Sequence, residues 1–198
     1  MAPTSAAPGL ERDAAAIERP PFLTVGTIVW LSSELMFFAA LFAAMFTLKG
    51  ETDGPWPPEG VHLNVALAAT LTTLLVISSG TQHLAANAVE RGDLAGLRRW
   101  MTLTIVLGTV FIAGQAYEWS ELGFSISSHP FGSAFYTLTG FHGLHVIGGI
   151  LALAVVLGRS SQRAFAVNGR TSVEMVTAYW HFVDVVWIAV FAALYLLS

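Results

Sequence analysis

Along the chain, long apolar runs alternate with short polar breaks. The runs lie near 22–48, 62–89, 100–122, 131–158 and 172–197. Each is long enough to cross a bilayer as a helix, which takes about 20 residues. Strands of a membrane barrel are about 10 residues long and alternate polar with apolar positions; these runs do neither. The pattern therefore predicts an all-α fold, a polytopic membrane bundle of five transmembrane helices. Residues 22–198 read as one domain behind a tail, 1–21, with no apolar core of signal-peptide length. Pro20 and Pro21 lead into the first run, where proline is tolerated at a helix start. GPWPPEG (54–60) is a breaker-rich loop before the second.

Basic residues orient the bundle. With the N-terminus inside, Arg12, Arg19, Arg91, Arg98, Arg99, Arg159, Arg163 and Arg170 all lie inside and only Lys49 lies outside. That bias predicts N-in and C-out, with the tail cytoplasmic. Trp100 and Trp119 fall at opposite ends of the third run, as interfacial tryptophans do, and Trp56 reads as a further interfacial anchor. Trp100, with Arg91, Arg98 and Arg99 of the inner loop, is a candidate for lipid contact. Gly140, Gly143, Gly148 and Gly149 thin the fourth helix, and Ala39, Ala40, Ala43 and Ala44 the first, so close helix contact is expected there.

Composition narrows the chemistry. The chain is 55% hydrophobic and 11% charged, where soluble domains carry about 25% charged residues. A net charge of −4 gives no case for nucleic acid. The absence of cysteine excludes disulfides, thiolate metal sites, covalent c-type haem and a two-cysteine copper centre.

Against this background the polar residues inside the runs stand out. YWHFVDVVW (179–187) puts His181 and Asp184 at i, i+3, on one helix face. GFHGLH (140–145) repeats that spacing with His142 and His145, and WLSSELMFF (30–38) carries Glu34. At 1.5 Å per residue all five share a mid-membrane layer. His83 lies nearer the inside, Glu118 near the outer end of the third helix. A carboxylate at mid-membrane depth costs roughly 3 kcal/mol on insertion scales, so it should face protein and be paired or neutral.

Several readings are open for this layer. His145 and His181 are at depths that permit a shared haem, although only one such pair exists. A di-metal carboxylate site wants about four carboxylates and two Glu-x-x-His units, more than the layer offers. Glu, His and Asp can relay protons, but a relay needs a path to both surfaces and only one polar layer is visible. Or these groups pair across helices and hold the bundle together, His181 with Asp184 among them. His83 is then expected to bond a backbone carbonyl or polar groups beside Glu90.

In the same order along the chain, these stretches resemble subunit III of the haem–copper respiratory oxidases, most closely of cytochrome c oxidase. WLSSELMFF is similar to the family's helix bearing a carbodiimide-reactive glutamate, at the position of Glu34. ERGD and LRRW within 90–100, GQAYEW (114–119), FGSAFYTLTGFHGLHVIGG (131–149) and YWHFVDVVW resemble further family segments. Longer members have seven helices; this chain looks like the short five-helix bacterial form. The resemblance implies an accessory subunit of an aa3-type oxidase in the bacterial cytoplasmic membrane, without a catalytic residue or metal of its own. Haem a and copper would sit in partner subunits. The chain would pack on subunit I in a complex that also holds subunit II, and further small subunits or a respiratory supercomplex are possible partners. It would bind phospholipid, support proton uptake and protect the complex from turnover inactivation. Glu34, Glu118, His142, His145, His181 and Asp184 are then the buried polar, proton-uptake-related candidates. The equivalent subunits of quinol oxidases and nitric oxide reductases are alternatives, as is a self-contained haem-binding or proton-conducting protein.

Overall fold

The computed structural model describes residues 22–161 and 165–197. Residues 1–21, with Arg12, Arg19, Pro20 and Pro21, and Arg163 lie outside the described residues. Five helices long and apolar enough to cross a membrane make up the fold: α1 (Phe22–Glu51), α2 (Val65–Glu90), α3 (Leu94–Glu121), α4 (Pro130–Arg159) and α5 (Phe165–Phe191). A π-helical turn, Ala192–Leu196, extends α5. Among the described residues there is no strand.

Helix starts follow local chemistry. Asn64 caps α2 by accepting from the Leu67 N–H at 3.0 Å, and Asp93 caps α3 by accepting from Gly96 at 2.8 Å. His129 caps α4 through Nδ1, which accepts from Gly132 at 2.8 Å, and Pro130 opens that helix. The Asp93 cap explains why α3 begins at Leu94 rather than near 100: the stretch 94–99, which ends in Arg98 and Arg99, is helical although it precedes the apolar run. Likewise α5 starts at Phe165, ahead of its apolar run.

Helices α2 to α5 form a four-helix cluster, with α2 packed on α3 and α5, and α4 on α3 and α5. α1 lies outside, against α4 and more lightly α5. In the most apolar stretch of α5, 56% of residues are buried, against 11% in α1, so α5 is the central helix and α1 an appended one. Ala39, Ala40, Ala43 and Ala44 are exposed; α1 packs through Phe37, Phe38, Leu41 and Met45 instead, and the predicted close contact on the alanines does not form. Large apolar side chains win this face because they reach into the groove beside α4 and bury more area.

Close approach is real in the core. Trp180 of α5 is fully buried between α3 and α4. A Cβ on Gly108 would stand 2.6 Å from its ring, and one on Gly149 2.9 Å. Only glycine leaves room there for an indole. The Trp180 Nε1–H then donates to Ser78 Oγ at 3.0 Å, so the ring is satisfied as well as packed.

Candidate functional site

Three groups of polar side chains bear on the predicted layer and on Glu118. The first joins α1 to the cluster. Glu34 accepts from Trp30 Nε1 at 3.0 Å through one oxygen, and its other oxygen lies 3.0 Å from His145 Nε2. His145 Nδ1 lies 2.7 Å from the Phe141 carbonyl, which can only accept, so Nδ1 carries a proton. One further proton must then lie between Nε2 and the carboxyl group. Whether the pair is imidazole with carboxylic acid or imidazolium with carboxylate, its net charge is zero. Trp30 stacks on Tyr179 of α5 at 4.9 Å, and the Tyr179 hydroxyl donates to the His145 carbonyl at 3.0 Å. Glu34 and His145 thus form a clip that fixes α1 through α4 to α5.

A second group lies between α2 and α5. Ser79 Oγ is 2.5 Å from His181 Nδ1. The Gln82 amide donates to Thr177 at 2.8 Å, and the Trp187 Nε1–H donates to Thr72 at 2.9 Å. Asp184 is buried, and no group meets hydrogen-bond geometry at either carboxyl oxygen, although the Ser79 hydroxyl lies beside it. The expected His181–Asp184 pair is therefore corrected: the i, i+3 spacing brings both side chains to one face, but the α2 hydroxyl takes the imidazole. His142, 1% exposed, has no hydrogen-bond partner at either ring nitrogen. It packs as an aromatic ring, 4.7 Å from Trp187 and 5.7 Å from Phe111.

The third group closes the far end of the bundle. Glu118 accepts from Gln115 at 3.0 Å and from the Tyr195 hydroxyl at 2.8 Å, both on the same oxygen. Sequence spacing could not reveal Tyr195, which belongs to the last turn after α5.

Other expectations resolve differently. His83 is exposed and forms no hydrogen bond to a backbone carbonyl or to Glu90, which instead pairs with Arg170 at 3.4 Å. Trp56 is half-buried, packed edge-on against Phe131 at 5.2 Å, with its Nε1 enclosed. Trp119 likewise packs on Tyr136 at 5.2 Å. Arg98 donates to Ser160 Oγ at 3.1 Å and to the Ser160 carbonyl at 2.8 Å, Arg99 lies over the Trp100 ring at 5.2 Å, and Arg91 is exposed.

The donor atoms bear on the haem and metal readings. His145 has both nitrogens engaged, and His181 has its Nδ1 engaged. A haem bridging them would have to displace the Glu34 bond that holds α1. Among the described residues no group of three or more His, Cys, Asp or Glu side chains converges to hold a metal ion.

Two apolar grooves open on the surface. One, of about 480 Å³, lies between α3 and α4 beside Trp119, Tyr136 and Gly140. The other, of about 660 Å³, lies between α1, α4 and α5, lined by Thr27, Trp30, Leu151, Val155, Met175 and Tyr179. The Trp30–Tyr179 stack of the clip borders it.

Comparison with known proteins gives the same direction at each step. The family model for cytochrome c oxidase subunit III matches residues 15–198. A probable cytochrome c oxidase subunit 3 of Nocardia farcinica is 50% identical over 183 residues, covering 91% of this chain and 90% of that protein. Cytochrome c oxidase subunit 3 of Corynebacterium diphtheriae is 48% identical over 189 residues, 93% of this chain and 92% of the relative. That of Thermostichus vulcanus is 40% identical over 184 residues, 92% and 91%.

Proposed function

The chain belongs to the cytochrome c oxidase subunit III family, and from that membership we propose that it is the accessory subunit of an aa3-type oxidase with no catalytic centre of its own. It is a multi-pass membrane protein and part of an oxidoreductase complex. In this reading it packs on the haem-bearing subunit I, beside subunit II, in the bacterial cytoplasmic membrane. Haem a, copper and oxygen reduction then reside in the partners.

The observation that carries this reading is the use made of the intramembrane polar groups. Glu34 with His145, Ser79 with His181, Gln82 with Thr177, and Trp187 with Thr72 each join two helices. A cross-helix bond of this kind is worth about 0.6 kcal/mol on average. Several together hold a bundle without providing a redox site.

Three finer roles follow as part of the same proposal. The groove between α1, α4 and α5 is apolar, which supports phospholipid binding; Trp100, Arg91 of the α2–α3 turn, and Arg98 and Arg99 at the start of α3 suit the headgroup level. The Arg98–Ser160 and Arg170–Glu90 contacts gather the arginines at one end of the bundle, and Lys49, which donates to the Leu197 carbonyl, lies at the other. That asymmetry supports N-in and C-out. Support of proton uptake and protection against turnover inactivation belong to the complex. Membranes from a strain lacking the chain test them: the oxidase is expected to retain its haem a absorbance and its initial rate, then to lose activity sooner during turnover. Loss of haem a together with the chain would contradict this role.

A further inference from the structure

Most hydroxyls that reach the surface of the apolar spans bond their own helix. Ser32 donates to Ile28, Ser33 to Trp30, Thr70 to Ala66, Thr73 to Ala69 and Thr109 to Ile105. With the proton engaged in this way, such a hydroxyl tolerates lipid.

His83 departs from that pattern. It is exposed on α2, and no hydrogen bond to it forms among the described residues. It lies about 10 Å along the helix from Glu90, by the rise per residue, which is beyond the reach of a short imidazole to the headgroups. Ser79 lies one helical turn from His83 on α2, and its hydroxyl holds His181 of α5 across the α2–α5 seam at 2.5 Å. The His181 ring is half-buried; its Nδ1 is held by Ser79, and Nε2 has no bond among the described residues. Gln82, whose amide donates to Thr177 across the same seam, has its Oε1 buried without a partner, and both Asp184 carboxyl oxygens are buried in the same way. The other exposed faces are clad differently: Leu35 and Met36 on α1, Val106 on α3, Leu144 and Leu151 on α4. Polar groups with open hydrogen-bonding capacity inside a membrane face protein or enclosed water rather than lipid.

We propose that the α2–α5 seam around His83 and His181 is the docking surface for the haem-bearing subunit of the oxidase, one of whose transmembrane helices presents hydrogen-bonding groups to the two imidazoles. This rests on the accessory-subunit reading and adds to it which face is covered and by what chemistry. Each imidazole offers a nitrogen at the seam, and a partner side chain or freed backbone group at that depth completes it. An apolar helix would leave both rings unsatisfied.

The test uses the tagged chain in its native membranes, with a benzophenone amino acid at His83, at Val76 on the same face of α2, or at Leu151 on the lipid-clad face of α4. Val76 serves if replacement of His83 disturbs folding. Irradiation is expected to give a single crosslinked polypeptide from positions 83 and 76, identified by mass spectrometry as the haem-bearing subunit, and only lipid adducts from 151. If 83 and 76 give only lipid adducts while the unmodified chain still co-purifies with haem a, the docking surface is wrong and the accessory-subunit reading stands. If the unmodified chain purifies without any haem-bearing partner, both fall.

Discussion

Replacement of Glu34 tests the clip that holds α1. Alanine removes two bonds, the Trp30 Nε1–H to one oxygen and the His145 Nε2 contact to the other, each 3.0 Å long. Cross-helix hydrogen bonds in membranes average about 0.6 and reach about 1.7 kcal/mol, so Glu34→Ala should cost about 1–3 kcal/mol. Glutamine preserves both. Its carbonyl accepts from Trp30, and its amide donates to His145 Nε2, which is free to accept because Nδ1 already donates to Phe141. Because the pair is neutral overall, a neutral isostere loses no net charge, and Glu34→Gln should cost less than about 0.5 kcal/mol. SDS titration of the chain in mixed micelles, followed by tryptophan fluorescence, measures the difference. The same variant should leave oxidase assembly and haem content nearly intact. A Gln variant as unstable as the Ala variant would refute the shared-proton argument, since the clip would then need a full carboxylate charge.

Ser79→Ala should destabilise the bundle more than Asp184→Asn, because Ser79 holds His181 whereas the Asp184 oxygens have no hydrogen bond to lose; the same SDS titration ranks them, and the reverse order would restore a His181–Asp184 pair. Gly108→Ala should cost about 1–3 kcal/mol through overpacking against Trp180. The double variant with Trp180→Phe should recover part of that loss, and strict additivity would show that the two sites are not in contact. Tyr195→Phe should cost about 1 kcal/mol by removing the hydroxyl that Glu118 accepts; an unchanged unfolding midpoint would mean that this bond contributes nothing.

The five spans were legible because length and hydropathy decide membrane crossing almost alone. Where the helices begin was less so: Arg98 and Arg99 break the apolar run of α3 in its second turn, and the Asp93 cap marks its start. The polar layer was legible as residue types at matching depths, which brought Glu34, His145, His181 and Asp184 forward together. Their pairing was not, because it depends on which helices touch. His145 meets Glu34 because α4 packs on α1, and His181 meets Ser79 because α2 packs on α5. Ser79, Thr72 and Thr177 went unnoticed, since isolated hydroxyls in a hydrophobic run usually bond their own backbone. Tyr195 was missed for a similar reason: nothing in the last turn of a helix reports a carboxyl on another helix. The alanines of α1 misled because small residues mark close packing only where a second helix is present.

The most direct measurement is a mild-detergent purification of the tagged chain, with a reduced-minus-oxidised spectrum of what elutes. The account predicts haem a bands that accompany the complex and vanish once the chain is separated from its partners. Haem of only b or o type in the complex would point to a different oxidase or reductase partner. Haem that remains with the isolated chain would contradict the central claim, because the account assigns this chain no redox centre of its own.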